Sequence, residues 1–235
     1  MNDSHEVRGD VVTSYKNAPT RTVTAGGAAS AYRELGPRSG VPVVFLNHLY
    51  GALDNWDPRV VDGIAAKHHV ITFDNRGVGA STGSTPRTIQ GMAKDAVTFI
   101  FIRALLTFQD PKQFLFFTRT ANGRRAGKEF LARLKERTVD QDKAVSPIAY
   151  SNQLKAIHRW GLEKPHDLSV VRQPVPVANG DGDRMVPSKN SYDLARRLPD
   201  AELEIYPDAG HGGIFQFHGQ FVKTAIAFLE RQNGQ

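Results

Sequence analysis

The sequence predicts an α/β fold: a mostly parallel sheet flanked by helices, interrupted by a helical insert. Three observations carry that expectation. The runs "VPVVFLNH" (41–48) and "HHVITFD" (68–74) are short, valine-rich or β-branched and almost wholly apolar, as strands buried on both faces of a parallel sheet are. Strand-like and helix-like segments alternate at both ends of the chain. Between them, residues 101–167 are polar, basic and helical in pattern. The expected organisation is a core made of residues 1–100 and 168–235, with 101–167 as a helical cap over the sheet.

Taken in order, "RTVTAGGAASAYRELG" reads as two short strands around Gly26-Gly27, a hairpin. After "VPVVFLNH" and a loop, "RVVDGIAAK" has helical pattern and leads to the second buried strand. The loop "NRGVGASTGSTP" then precedes an amphipathic helix from Thr88, with Ile89, Met92, Ala93, Ala96, Val97 and Ile100 on one face. Near the end, "PVPVANG" is a strand, "KNSYDLARRLP" a helix, "AELEIYP" a strand and "HGQFVKTAIAFLERQ" a closing helix.

Composition excludes several classes. The 235 residues suit one large domain with a substantial core. With no cysteine there is no disulfide, thiolate metal site or cysteine nucleophile. The polar opening "MNDSHEVRGD" is no signal peptide, and the apolar stretch near "AVTFIFI" (96–102) is far short of the roughly 18 residues a membrane helix needs. A soluble, cytoplasmic protein without a membrane partner is expected; oligomeric state is open. Net charge is +6, and nine Lys/Arg against three acids between Arg103 and Arg137 account for all of it. That concentration reads as a solvated helical face, not a nucleic-acid site, because Phe114, Phe116 and Phe117 do not interleave with the basic residues. His68, His69 and His218 show no metal spacing, and "NRGVGASTG" lacks the Gly-Lys-Ser/Thr of a phosphate cradle. No metal and no cofactor are expected.

Chemistry gathers where strands of a parallel sheet end. "NGDGDRMVP" offers Asp183 after one strand, and "YPDAGHGG" offers His211 after the next. A carboxylate that orients an imidazole, which accepts a proton from a nucleophile, is the logic of a triad. These segments, with "FLNHLYGALDNWDP" and "VITFDNRGVGASTG", resemble the α/β-hydrolase superfamily, in particular its esterase, C–C hydrolase and cofactor-free haloperoxidase-like branch. The resemblance covers roughly residues 20–100 and 165–232. It implies Asp183 as triad acid, His211 as triad base, and the Leu49 amide beside His48 as an oxyanion-hole donor, acting on a small apolar ester-like or related substrate.

The pattern Gly-x-Ser-x-Gly occurs once, as "GASTG" (79–83), but a nucleophile elbow needs its serine on a turn directly between strand and helix. Ser81 lies seven residues beyond Asp74 and is followed by a loop closed by Pro86, so a structural role is expected. The resemblance implies a strand, elbow, helix and further strand before the cap, yet "GMAKDAVTFI" runs straight into "FIRALLTFQDP". One or more central strands are therefore expected to be missing. Two arrangements are open: "PVPVANG" pairs with "VPVVFLNH" to give one sheet of about six strands, the preferred one, or that edge stays open. Trp56, Trp160 and the Phe114–Phe117 cluster line a pocket or pack the core. The expected function is hydrolase-type with acid and histidine kept and the nucleophile absent; the alternative is a non-catalytic protein that binds a small ligand.

Overall fold

The computed structural model describes residues 14–25, 28–38, 41–85 and 111–232. The helix expected from Thr88 and the join at Ile100–Phe101 lie outside the described residues, as does the polar N-terminal stretch. Strands β1 (Arg21–Ala25) and β2 (Ala28–Leu35) pair antiparallel, with Arg21 opposite Tyr32 and Ala25 opposite Ala28. β2 also runs antiparallel to β4 (Val70–Phe73), which is parallel to β3 (Val43–Phe45). The resulting sheet has the order β1-β2-β4-β3.

β5 (Val175–Gly180) and β6 (Ala201–Tyr206) form a second, parallel, two-stranded sheet. The preferred expectation of one continuous sheet is thus corrected: among the described residues β5 pairs only with β6, and β3 only with β4. Pro176 offers no N–H to a ladder, which suits a strand with one unpaired edge. The burial expected of residues 41–48 is also corrected, with β3 at the end of the sheet among the described residues. Val44, Val41 and Leu46 are exposed, and only Phe45 is buried.

Helices cover these sheets for local reasons. α1 (Pro58–Ala65) starts at Asp57, whose side chain accepts the Arg59 amide, with proline at its first position. Val60, Val61 and Ile64 face inward. α2 spans Pro111–Phe116, and α3 (Ala121–Leu134) is capped by Thr120 through the Gly123 amide. α4 (Pro147–Gly161) is capped by Ser146 through the Ala149 amide. α5 (Lys189–Arg197) lies between β5 and β6; α6 (Gly213–Gln216) and α7 (His218–Gln232) close the chain.

The core joins the two halves. Val60 and Val61 of α1 meet Phe116, Phe130 of α3 and Phe215 of α6, the last two stacked at 4.8 Å between centroids. At its margin the fully buried Asp57 takes three hydrogen bonds from Arg133: Nε is shared between Oδ1 at 2.9 Å and Oδ2 at 3.0 Å, and Nη2 donates to Oδ2 at 2.7 Å. Arg133 also donates to the Phe215 carbonyl. One fork thereby holds α1, α3 and α6, and burial makes the geometry demanding.

Candidate functional site

Asp183 and His211 stand on the loops after β5 and β6, the two neighbouring strands of the smaller sheet. The loops touch through their backbones: the Gly182 amide donates to the Ala209 carbonyl at 2.8 Å, and the Asp181 amide to Tyr206 at 2.9 Å. Glycine at 180 is required by this approach, since a Cβ there would meet the Ala209 and Gly210 carbonyl oxygens at 2.2 and 2.4 Å. No side chain fits between them.

The approach brings Asp183 Oδ2 to 2.9 Å from His211 Nδ1. Asp183 Oδ1 accepts the Met185 and Val186 amides at 2.8 and 3.0 Å. Its side chain is 1% exposed, that of His211 29%. Burial pushes the Asp183 carboxyl up, but the hydrogen bond from His211, the two amides and the imidazole charge outweigh it, so it lies below the usual carboxylate range. The carboxylate fixes the proton on Nδ1 and leaves Nε2 as the base. Among the described residues, Asp183 is the sole hydrogen-bond partner of His211.

What faces the imidazole instead is a ring. Phe116 lies 5.5 Å from His211 and 5.6 Å from His48, centroid to centroid. Its carbonyl accepts the Gly212 amide at 2.6 Å, strapping the end of α2 to the histidine loop. Asp208, three residues before His211, reinforces the strap by accepting from the Thr118 and Thr120 hydroxyls and from Asn122. Phe116 and Phe117 are core residues, Trp56 half-buried with Nε1 on Asn47, and Trp160 exposed. The sequence signal for Phe116 was its place in an aromatic cluster; its approach to His211 is a long-range contact no local pattern encodes.

His48 and Leu49 form the start of a turn closed by the Gly51 amide on the His48 carbonyl at 2.9 Å. Tyr50 sits in that turn with φ of 63°, a left-handed conformation rare for a bulky residue. His48 Nδ1 bonds the Leu49 carbonyl at 2.7 Å; a carbonyl only accepts, so the proton is on Nδ1. Nε2 is then a buried lone pair without a partner among the described residues. Burial, and next the nearby His211 and Lys112 charges, lower the His48 pKa against the raising effect of Leu49. The Leu49 amide makes no hydrogen bond among the described residues. Ser81 is elsewhere: buried, its Oγ donates to the Asp74 carbonyl and accepts the Ala31 amide, both at 2.9 Å. Among the described residues no cluster of three or more His, Cys, Asp or Glu side chains could hold a metal, and no helix is long and apolar enough to cross a membrane.

A family model described as the alpha/beta hydrolase fold matches residues 98–217, just over half of the chain. An alpha/beta hydrolase fold protein from Chitinophaga pinensis is similar in structure, with 32% identity and a TM-score of 0.82 over 92% of this chain and 98% of that one. Curated relatives match over shorter stretches. A Caulobacter sp. (strain K31) protein named as a candidate carbamate hydrolase, RutD, is 37% identical over 84 residues, 36% of this chain. A Mycobacterium tuberculosis protein (strain ATCC 25618 / H37Rv) named as a candidate non-heme bromoperoxidase, BpoC, is 41% identical over 63 residues, 26% of this chain. The matches span 31% and 24% of those two relatives' lengths. A parallel β5–β6 pair, the loops that carry Asp183 and His211, and a family match across half the chain converge on one conclusion: the chain belongs to the α/β-hydrolase family.

Proposed function

We propose that this protein descends from ester hydrolases of its family and keeps their proton relay without the serine that relay activates. In the reaction the resemblance implies, His211 takes the serine proton, Asp183 stabilises the imidazolium, and the Leu49 amide binds the oxyanion. The observation that carries the reading is the surroundings of His211 among the described residues: its Nδ1 is held by Asp183, no hydroxyl or carboxylate hydrogen-bonds its Nε2, and Phe116 lies 5.5 Å away, ring centroid to ring centroid. Removing the serine of such a triad costs on the order of a millionfold in turnover, so activity against small apolar esters is expected to be residual. Residues 101–167, which bring Phe116 to the site, stand as the cap in this reading. The absence of cysteine accords with a reducing, cytoplasmic location.

The test is labelling with a fluorophosphonate, which reports an activated serine. No stoichiometric adduct is expected; an adduct on a cleft serine, lost in His211→Ala, overturns the proposal. The contacts of Phe116 with both the His211 and His48 rings favour a second reading, a non-catalytic binder of small apolar ligands. It requires a hydrophobic ligand to bind His211→Ala as tightly as the unaltered protein.

A further inference from the structure

We propose that the C-terminal end of α4 and the turn that follows it, residues 155–164, dock on an anionic lipid surface. The first half of α4 is spoken for. Asn152 is buried and donates to the Thr85 carbonyl, Gln153 accepts the Tyr50 amide at 2.9 Å, and the Tyr150 and Tyr50 rings meet edge to face at 5.1 Å. Beyond Gln153 the helix stays partly covered at Leu154, Lys155 and His158, while its other side turns outward. Ala156, Ile157, Arg159, Trp160 and Gly161 are all exposed, and a Cβ at Gly161 would have nothing within 4 Å.

This tip is apolar where a solvated helix end would be polar. Ile157 is 49% exposed, Trp160 64% and Leu162 74%. Covering large apolar side chains is favourable, so three together favour an apolar contact. Around them, within the ten residues "KAIHRWGLEK", stand Lys155, Arg159 and Lys164 against the single acid Glu163. Tryptophan with aliphatic neighbours and a basic surround is the composition that settles at a lipid headgroup boundary. Charge also chooses between occupants. A second copy would bring Lys155, Arg159 and Lys164 against their own like, whereas lipid phosphates neutralise them while the acyl region takes the side chains. Lying on such a surface needs no spanning helix, so it is compatible with the apolar stretches being too short to cross a membrane. The proposal is independent of catalysis.

The experiment is co-flotation of the full chain with vesicles of phosphatidylcholine alone and with about one-third phosphatidylglycerol. Flotation with the anionic vesicles is expected, weakening as salt is added, with a blue shift of tryptophan emission. Trp160→Ser combined with Leu162→Ser should lower the partition coefficient about tenfold or more. Both side chains are exposed, so an unchanged melting temperature checks that the variant is folded. Arg159→Glu with Lys164→Glu should weaken anionic binding and leave the phosphatidylcholine control unchanged. The proposal fails if the protein does not float with anionic vesicles, or if neither variant alters flotation. It also fails if light scattering finds a dimer that the Trp160/Leu162 variant dissolves, since the tip would then be covered by a second copy.

Discussion

Asp142→Asn should stabilise this protein at alkaline pH and hardly at all in acid. Asp74, at the end of β4, is fully buried, and its Oδ1 accepts the Leu53 amide at 2.9 Å. Asp142 Oδ2 accepts the same amide at 3.1 Å. Gly79, with φ of 55°, passes so close that a Cβ would meet Oδ2 of both carboxylates, Asp74 at 2.3 Å and Asp142 at 2.6 Å. Burial, then the Asp142 charge and hydrogen bond, push the Asp74 pKa from 3.8 to about 7, against the lowering effect of the Ala80 and Leu53 amides. A raised carboxyl pKa means that the folded protein holds a proton the unfolded chain releases near pH 4. Stability is therefore greatest below that point and falls as pH rises toward about 7. Three pKa units at 1.36 kcal/mol each set an upper bound of about 4 kcal/mol. Asparagine at 142 removes the like charge, keeps an acceptor for the Leu53 amide and can donate to Asp74, but leaves burial unchanged. A gain of about 1–2 kcal/mol at pH 8 follows, or roughly 3–6 °C in melting temperature for a chain of this size. Thermal melts of both proteins at pH 5 and pH 8 read the difference directly; groups common to both, such as His48, cancel. An equal shift at the two pH values, or a loss at pH 8, would refute the carboxyl pairing.

Three other outcomes are expected. Arg133→Ala leaves Asp57 buried and unpaired, and chemical denaturation should show a loss of about 3–5 kcal/mol. Asp183→Asn removes the acceptor that fixes the His211 tautomer; nitrogen NMR should find Nδ1 protonation no longer dominant, and the Asp183 contribution to stability, present above pH 4 and lost as pH falls through its depressed pKa, should disappear from the acid limb. Phe116→Ala should cost about 3–5 kcal/mol through the cavity left in the core. If it folds, the mobility of the His211 ring signals should rise.

The parts legible in the sequence were those with local chemistry. The β1–β2 hairpin follows from Gly26-Gly27 between strand-like runs, α1 from Asp57-Pro58, and the acid–base loops from glycines placed after valine- and isoleucine-bearing strands. Strand partnership is a different matter. Whether Val175–Gly180 would join Val43–Phe45 depended on competition among distant segments, and three paired residues on β3 with a proline in β5 gave no local tie to decide it. Phe116 looked like any core aromatic, and its seat beside His211 comes from the Phe116–Gly212 hydrogen bond, a contact between residues nearly a hundred positions apart. The Asp74–Asp142 pair was invisible for the same reason. Two lone aspartates have no pattern until the chain folds one onto the other.

Asp183 and His211, the relay proposed above, ride on adjacent strands whose loops are hydrogen-bonded to each other and, among the described residues, not to the larger sheet. A unit so arranged can outlast heavy rearrangement of its surroundings, because the spacing of acid and base is set inside it. In the proposed reading, laboratory restoration of an attacking group becomes a problem of delivery to a preassembled partner: the hydroxyl must be brought to Nε2, while the Asp183–His211 bond behind the imidazole is already in place.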